Sequence, residues 1–541
     1  METFKINEKN HMIKYDMKMN KGGLRLLKKV LCMCMVLVLI LGTLSGCGSK
    51  VENPGNERAN NEKENTQKAE IVKDEIKVAL ESDIVSLDPQ GHNDTASEKV
   101  SFLLFNRLFK LNTEFEAVPD LVEEWSQPSD KEWLLKIKEG VKFHDGTEIT
   151  SEDVKFSMER SKESPTVQHV LAEVEKVEIV DKYTVKVTTK VVFAPFLYTL
   201  AHAGVSIVPK HYVESDDNWK MPVGSGQYKF VEWVSGDKVV LGKYDEYYDE
   251  ADRGMAKKIT FKVIPEGTSR TIALETGEVD IIASLESMDS AKVEENPELS
   301  LYEKPSTSIA YVGMNVEKAP FDNVLVRRAM NYAIDKEAIL EISLNGAGTV
   351  AKSVTSTAIM GQKDGDYIYD PEKAKELLKE AGYDGNLTID LWASGDLRKR
   401  TAEVVQANLM EVGVTANIEM FEWGAYLEAT NSGKQSMFVL GWTSNPDPDA
   451  TLTPQFSKGS IRAQNRTRYV SEKVEQLLAD GRVELDLAKR KAIYNELHAT
   501  VMEDAPWVPL YVSNKLVGAN SQLKGVELNP QGLANLHKLH Y

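Results

Sequence analysis

All three cysteines of this chain, Cys32, Cys34 and Cys47, fall within the first 47 of its 541 residues. Whatever folds beyond Cys47 does so without disulfides, thiolate metal sites, iron–sulfur clusters or a cysteine nucleophile. Its stability must come from buried apolar surface, and the means are present. Hydrophobic residues make up 42% of the chain and charged residues 27%, with eight Trp, a globular composition with length for about two to four domains. Acidic residues outnumber basic ones, 83 to 65, for a net charge of −18. That balance argues against a basic face for a phosphate backbone, so no nucleic-acid partner is expected.

The first 46 residues read as an address. Residues 21–29, KGGLRLLKK, carry four positive charges and no acid, and the apolar run Val30–Leu41 follows. Twelve helical residues rise only about 18 Å, against roughly 30 Å of hydrocarbon core, which suits a signal-peptide core better than a membrane span. Leu44-Ser45-Gly46-Cys47 resembles the bacterial lipobox. That resemblance implies cleavage before Cys47, a lipid of the palmitate type on its sulfur, and anchoring to the cell membrane. Residues 47–73 are rich in Asn, Glu and Lys and poor in apolar side chains; they read as a flexible tether.

The body begins near Glu75 and mixes short strands with amphipathic helices, which makes the fold class α/β or α+β. Strands are expected at 183–193, 238–244, 257–264 and 438–442. Asp370-Pro371 reads as the cap and first turn of a helix stopping at Gly382, Asp322 and Asp335 as caps of two consecutive helices, and 398–413 as a further helix. Catalytic patterns are missing: no HExxH, no GxSxG and no phosphate-binding loop. GSGQY at 224–228 lacks the third Gly of a dinucleotide site. No cofactor or metal is expected.

From Ser86 onward, a colinear series of segments carries a resemblance. These are SLDPQ (86–90), NRLFKLN (106–112), the stretch 118–160 containing KFHDGTEITSEDV, and VGSGQYKFVEW (223–233). They continue with 263–281, 311–339, GWTSNPDPDATL (441–452) and DAPWVPLY (504–511). The series resembles the peptide/nickel-type solute-binding proteins of ABC importers, which include dipeptide- and oligopeptide-binding proteins. The resemblance implies a two-lobed, periplasmic-binding-protein-like clamshell, monomeric and non-enzymatic. The larger lobe is expected over 74–97, 216–310 and 511–541, with an extra sub-domain at 98–215, and the second lobe over 311–510. Two hinge crossings are expected near Ser308–Met314 and Leu510–Ser513. The implied function is to capture short peptides between the lobes and deliver them to a permease and ATPase complex. The implied place is the extracytoplasmic face, as on a Gram-positive outer surface rather than in a periplasm. Alternatives are a nickel-chelate or other small-solute binder of the same family, and a surface peptidase on a similar fold.

The same resemblance nominates ligand contacts. Dipeptide-type relatives present an Asp three residues after a Trp to the ligand's amino end; here Trp442 and Thr443 lead to Asn445, with Asp447 two residues on. Asn accepts a hydrogen bond but cannot neutralise an ammonium, so either Asp447 substitutes or the amino end is read differently. Asp447 could equally hold a turn between Pro446 and Pro448. Arg398 lies where such relatives offer a guanidinium to the ligand carboxylate, or else it is a solvated residue of a helix start. Trp392, Trp423 and Trp442 could wall the pocket or pack the core. Thr95 and Ser97 could face the cleft or cap a helix.

Overall fold

The computed structural model describes residues 73–215 and 219–541. The leader at 1–46, Cys47 and the tether up to residue 72 lie outside the described residues. Strands form where β-branched and aromatic residues cluster. Thr184–Thr189, Lys238–Lys243, Lys258–Val263 and Met437–Thr443 are all strands within or overlapping an expected run, and Glu75–Leu80 is the strand that opens the body. Helix starts follow their side-chain caps. Asp370 accepts from the Lys373 N–H at 2.9 Å with Pro371 at the first position, and Asp335 accepts from the Ala338 N–H at 3.0 Å. The cap expected at Asp322 belongs instead to Asn323, which accepts from the Leu325 N–H at 2.9 Å. The Asp322 N–H is still tied back to the Lys318 carbonyl at 3.0 Å, so the extended residue that can cap comes one later.

One sheet runs through the molecule. Its order is Val414–Phe421, Leu387–Ser394, Met437–Thr443, Leu299–Met314, Trp507–Asn520, Ile281–Ile282, Glu75–Leu80, Lys258–Val263, Lys238–Lys243 and Tyr228–Val234; Gly348–Val350 adds an eleventh strand beside Trp507–Asn520. Leu299–Met314 and Trp507–Asn520 are long and antiparallel, and they join two halves with separate cores. One half is packed on clusters around Val312, Met330, Leu391 and Val405 and around Tyr311, Phe438 and Trp507. The other is packed on Ile76, Leu104, Tyr228 and Phe261, with the C-terminal Leu533, Leu536 and Leu539 returning to it. A four-stranded sheet of Val122–Ser129, Glu132–Ile137, Thr184–Thr189 and Val174–Ile179 has its own core around Trp133, Phe143 and Phe196.

The two connecting strands are interrupted twice, between Pro305 and Ile309 and again between Ala310 and Tyr311. Pro305 pairs with Asn514 and Ile309 with Val512, so Ser306, Thr307 and Ser308 stand opposite the single residue Ser513. The extra residues are held by hydroxyls: Ser306 Oγ lies 3.2 Å from Ser513 Oγ and accepts from the Ser308 N–H at 2.9 Å. A bulge of this kind interrupts the ladder and is a natural place for two half-sheets to turn against each other.

GSGQY is explained by packing. A Cβ on Gly224 would stand 1.9 Å from the Leu104 carbonyl oxygen, and one on Gly226 2.3 Å from that of Leu103. Only glycine lets this strand entry lie against the end of the helix Thr95–Leu104. His144 stitches the same place: its ring nitrogens bond the Gly226 carbonyl at 3.0 Å and the Gly224 N–H at 3.2 Å.

Candidate ligand-binding cleft

Strand directions place the candidate residues of the second lobe. Met437–Thr443 runs antiparallel to Leu299–Met314, with Thr443 opposite Ser308, while Leu387–Ser394 and Val414–Phe421 run parallel to it. Three carboxyl ends therefore share the edge at the hinge, facing the first lobe. Open α/β sheets bind ligands outside the carboxyl ends of their strands. From these ends hang the start of the helix Gly395–Glu411, which carries Arg398, the start of the helix Trp423–Asn431, and the loop 444–447.

A cavity of about 590 Å³ lies between this edge and the first lobe, a size suited to a small-molecule ligand. Asn445, Pro446, Asp447, Asp449 and Ala450 line it from the second lobe. Thr95, Glu98, Lys99 and Phe102 of the first-lobe helix, together with Arg107, Tyr198 and His202, line it from the other side. The lobes also touch directly, where the Ala194 N–H meets the Arg482 carbonyl at 3.0 Å.

Of the residues nominated from sequence, Thr95, Asn445 and Asp447 reach this cavity. Asn445 is exposed, and its amide makes only a 3.4 Å contact with the Ala450 carbonyl. Asp447 is buried and committed. It caps the helix Pro448–Phe456 through the Asp449 N–H at 2.8 Å and receives both terminal nitrogens of Arg490 at 2.6 and 2.8 Å. Burial alone would pull the Arg490 guanidinium down, but the two bonds from Asp447 hold it above its ordinary range. Asp449 is similarly engaged, with Thr453 Oγ1 at 2.7 Å and Arg482 Nε at 3.1 Å. Both loop acids are thus neutralised within their own lobe.

The other nominees lie off the cavity wall. Arg398 lies 4.7 Å above the Trp423 ring, with no carboxylate in ion-pair reach among the described residues. Trp423 is 43% exposed at the same edge. Trp392 is core, 4.6 Å from Phe421. Trp442 packs on that core with its indole N–H buried and unpartnered. Thr443 Oγ1 bonds Ser308 Oγ at 2.9 Å in the hinge. Ser97 is fully buried and accepts from the Val85 N–H at 2.8 Å, while Asp94 caps the helix. Trp507 stacks on Tyr311 at 3.6 Å.

Sequence reasoning passed over Glu98, Lys99, Arg107 and His202. One signal could have found Arg107: it is a charge inside the apolar run FLLFNRLF at 102–109, and such a residue is either paired or purposeful. Burial pushes Glu98 up and Lys99 and Arg107 down, and brings His202 to about 4, with His169 adding to the effect. Among the described residues, no group of three or more His, Cys, Asp or Glu could hold a metal ion. Among them, too, no helix is long and apolar enough to cross a membrane.

Comparison with known proteins agrees with this architecture. The family profile described as bacterial extracellular solute-binding proteins, family 5 Middle, matches residues 116–463. Heme-binding protein A of Haemophilus influenzae is 31% identical over 469 residues, covering 79% of this chain and 85% of the relative. The dipeptide-binding protein of Escherichia coli is 30% identical over 493 residues, covering 82% and 91%. Among solved structures, HbpA2 from Haemophilus parasuis superposes with a TM-score of 0.81 at 28% identity, covering 86% of this chain and 99% of that one. The periplasmic binding protein DppA from Helicobacter pylori, in complex with the peptide STSA, gives 0.67 at 27% identity, covering 86% and 98%.

Proposed function

This chain belongs to the family 5 bacterial extracellular solute-binding proteins, and from that membership we propose that it captures short peptides between its lobes and delivers them to an ABC permease and ATPase complex. The observation that carries the reading is the cavity between the hinge-side strand ends and the first lobe, lined by peptide-like hydrogen-bonding groups and by charges of both signs. No covalent step is needed. A ligand that touches both lobes favours the closed arrangement by its differential affinity for it. The dipeptide-binding relative supports the ligand class.

For ligand contacts, Asn445 and Thr95 on the cavity wall are assigned to the peptide backbone, with Asp447 behind them as a positioning residue. Arg398 and Trp423 form a cation and aromatic pair on the edge that closes over the ligand. The division used is a larger lobe of 74–310 and 511–541, with the sub-domain 98–215, and a second lobe of 311–510. Residues 1–46 act as a signal peptide. Cys47 carries the lipid, and the protein works as a monomer tethered to the extracytoplasmic face of the membrane, on a Gram-positive surface. Cys47→Ala is expected to abolish labelling by a palmitate analogue; retained labelling would sink the anchor assignment.

The test of function is a thermal-shift screen on the chain without residues 1–46 and with Cys47→Ser, stripped of bound ligand. A ligand at a hundred times its Kd adds about 2.7 kcal/mol, which raises Tm by about 2–3 °C for a body of this size. Free di- to hexapeptides are expected to shift it. Silence with peptides and a shift with nickel–histidine or heme would replace the ligand class and keep the receptor role.

A further inference from the structure

Arg107 is a guanidinium taken out of water with no ion pair among the described residues. It follows the helix Thr95–Leu104, is 8% exposed, and lines the cavity between the lobes. Its Nε is buried with no hydrogen-bond partner, and its plane lies over the Phe102 ring at 4.2 Å. The acid acting on it most strongly, Asp120, is spent elsewhere. Its carboxylate accepts from the Arg107 backbone N–H at 2.9 Å and from the Asn106 amide at 3.2 and 3.3 Å, with no ion pair to the guanidinium. Lys110 on the same wall is compensated by Asp252 at 2.7 Å; Arg107 is not. A buried cation left open is costly. Its planar fork matches a carboxylate with two parallel hydrogen bonds, and here it lines a space sized for a ligand. Nine residues before it, in the helix Thr95–Leu104, Glu98 stands half-buried on the same wall, also without an ion pair among the described residues.

We propose that Arg107 receives the carboxylate of the captured solute on the first lobe, with Glu98 facing its ammonium group, so that the first lobe rather than the loop around Asn445 and Asp447 reads the ligand's charges. This rests on the peptide reading above. It explains why the second lobe's cavity acids, Asp447 and Asp449, can be spent internally on Arg490 and Arg482.

The test is isothermal titration of the leaderless chain with a matched tripeptide pair, free acid and C-terminal amide. The wild type is expected to prefer the acid by about tenfold or more. Arg107→Gln is expected to erase that preference by weakening the acid alone, and Arg107→Lys to keep part of it. In parallel, Glu98→Gln is expected to reduce the preference for free over N-acetylated peptides. Equal weakening of acid and amide by Arg107→Gln would mean a packing role and overturn the proposal, as would loss of the preference in Arg398→Gln instead. If Arg107 variants do not fold, a crystal structure of the wild type with the free-acid peptide decides it: a carboxylate beyond 4 Å of the guanidinium refutes it. Failure of every peptide to bind the wild type would defeat the peptide reading itself, a result distinct from peptides that bind without discrimination.

Discussion

Asp447→Ala separates a structural acid from a ligand-binding one. Asp447 and Arg490 have side chains 3% and 1% exposed and are joined by two bonds of 2.6 and 2.8 Å. Arg490 is fixed further by Nε donating to the Gly481 carbonyl at 2.7 Å, so it cannot swing out to water when its partner is removed. Breaking such a pair leaves a buried charge uncompensated, at about 3–5 kcal/mol, with about 1 kcal/mol more from the lost helix cap. Unfolding entropy near 2.1 cal/mol/K per residue amounts to about 1 kcal/mol/K for the whole body and about 0.4 kcal/mol/K for a second lobe of about 200 residues. The expected fall in Tm is therefore about 4–6 °C if the body melts as one unit, and about 10–15 °C if the second lobe melts alone. Differential scanning calorimetry of the ligand-free protein reads both cases. The doubly apolar variant Asp447→Leu with Arg490→Met is expected to recover part of the loss, since no charge then remains buried. A ligand-free Tm within 1 °C of wild type, coupled with a large loss of affinity for free-amino peptides, would refute this reasoning and return Asp447 to the ligand.

Three further outcomes are expected. His498 is fully buried, with Nδ1–H donating to the Tyr494 carbonyl at 2.7 Å and Nε2 accepting from Thr355 Oγ1 at 2.8 Å, and burial brings it to about 4. The unfolded chain takes up this proton below about pH 6.5 and the folded one only near 4, so stability is lost as pH falls through that window, by up to about 1.4 kcal/mol per pH unit; urea melts from pH 7 to 4.5 should show a shallower decline in His498→Gln. Gly226→Ala pushes a Cβ to 2.3 Å from the Leu103 carbonyl oxygen and 2.7 Å from the Leu104 carbonyl carbon, backbone that cannot step aside, so chemical unfolding should show a loss of about 1–3 kcal/mol. Asn445→Asp places a carboxylate on the cavity wall, and with Glu98 facing the ligand's ammonium it is expected to leave the preference for free over N-acetylated peptides unchanged in titration; a selective gain for free-amino peptides would move the amino end to the second-lobe loop.

Much of this architecture is legible in the amino-acid order because its signals are local. Asp370-Pro371, Asp335 and the alternating run at 184–189 act within a few residues of themselves, and they sit in the structure as helix caps and strand. Asp322 shows where local reading stops: a backbone bond to Lys318 shifts the cap by one residue to Asn323. Family membership was equally readable, since colinear motifs survive without knowledge of contacts. The state of each charge was not. Asp447 and Asn445 stand two residues apart in one loop, yet Arg490, 43 residues away, claims the first and leaves the second free. Asp120 accepts from the Arg107 backbone N–H and the Asn106 side-chain amide, and that leaves the Arg107 guanidinium open. Sequence order determined which chemical groups the cleft could use; only tertiary packing, by bringing distant partners within 3 Å and removing water from some and not others, decided which of them remain available to a ligand.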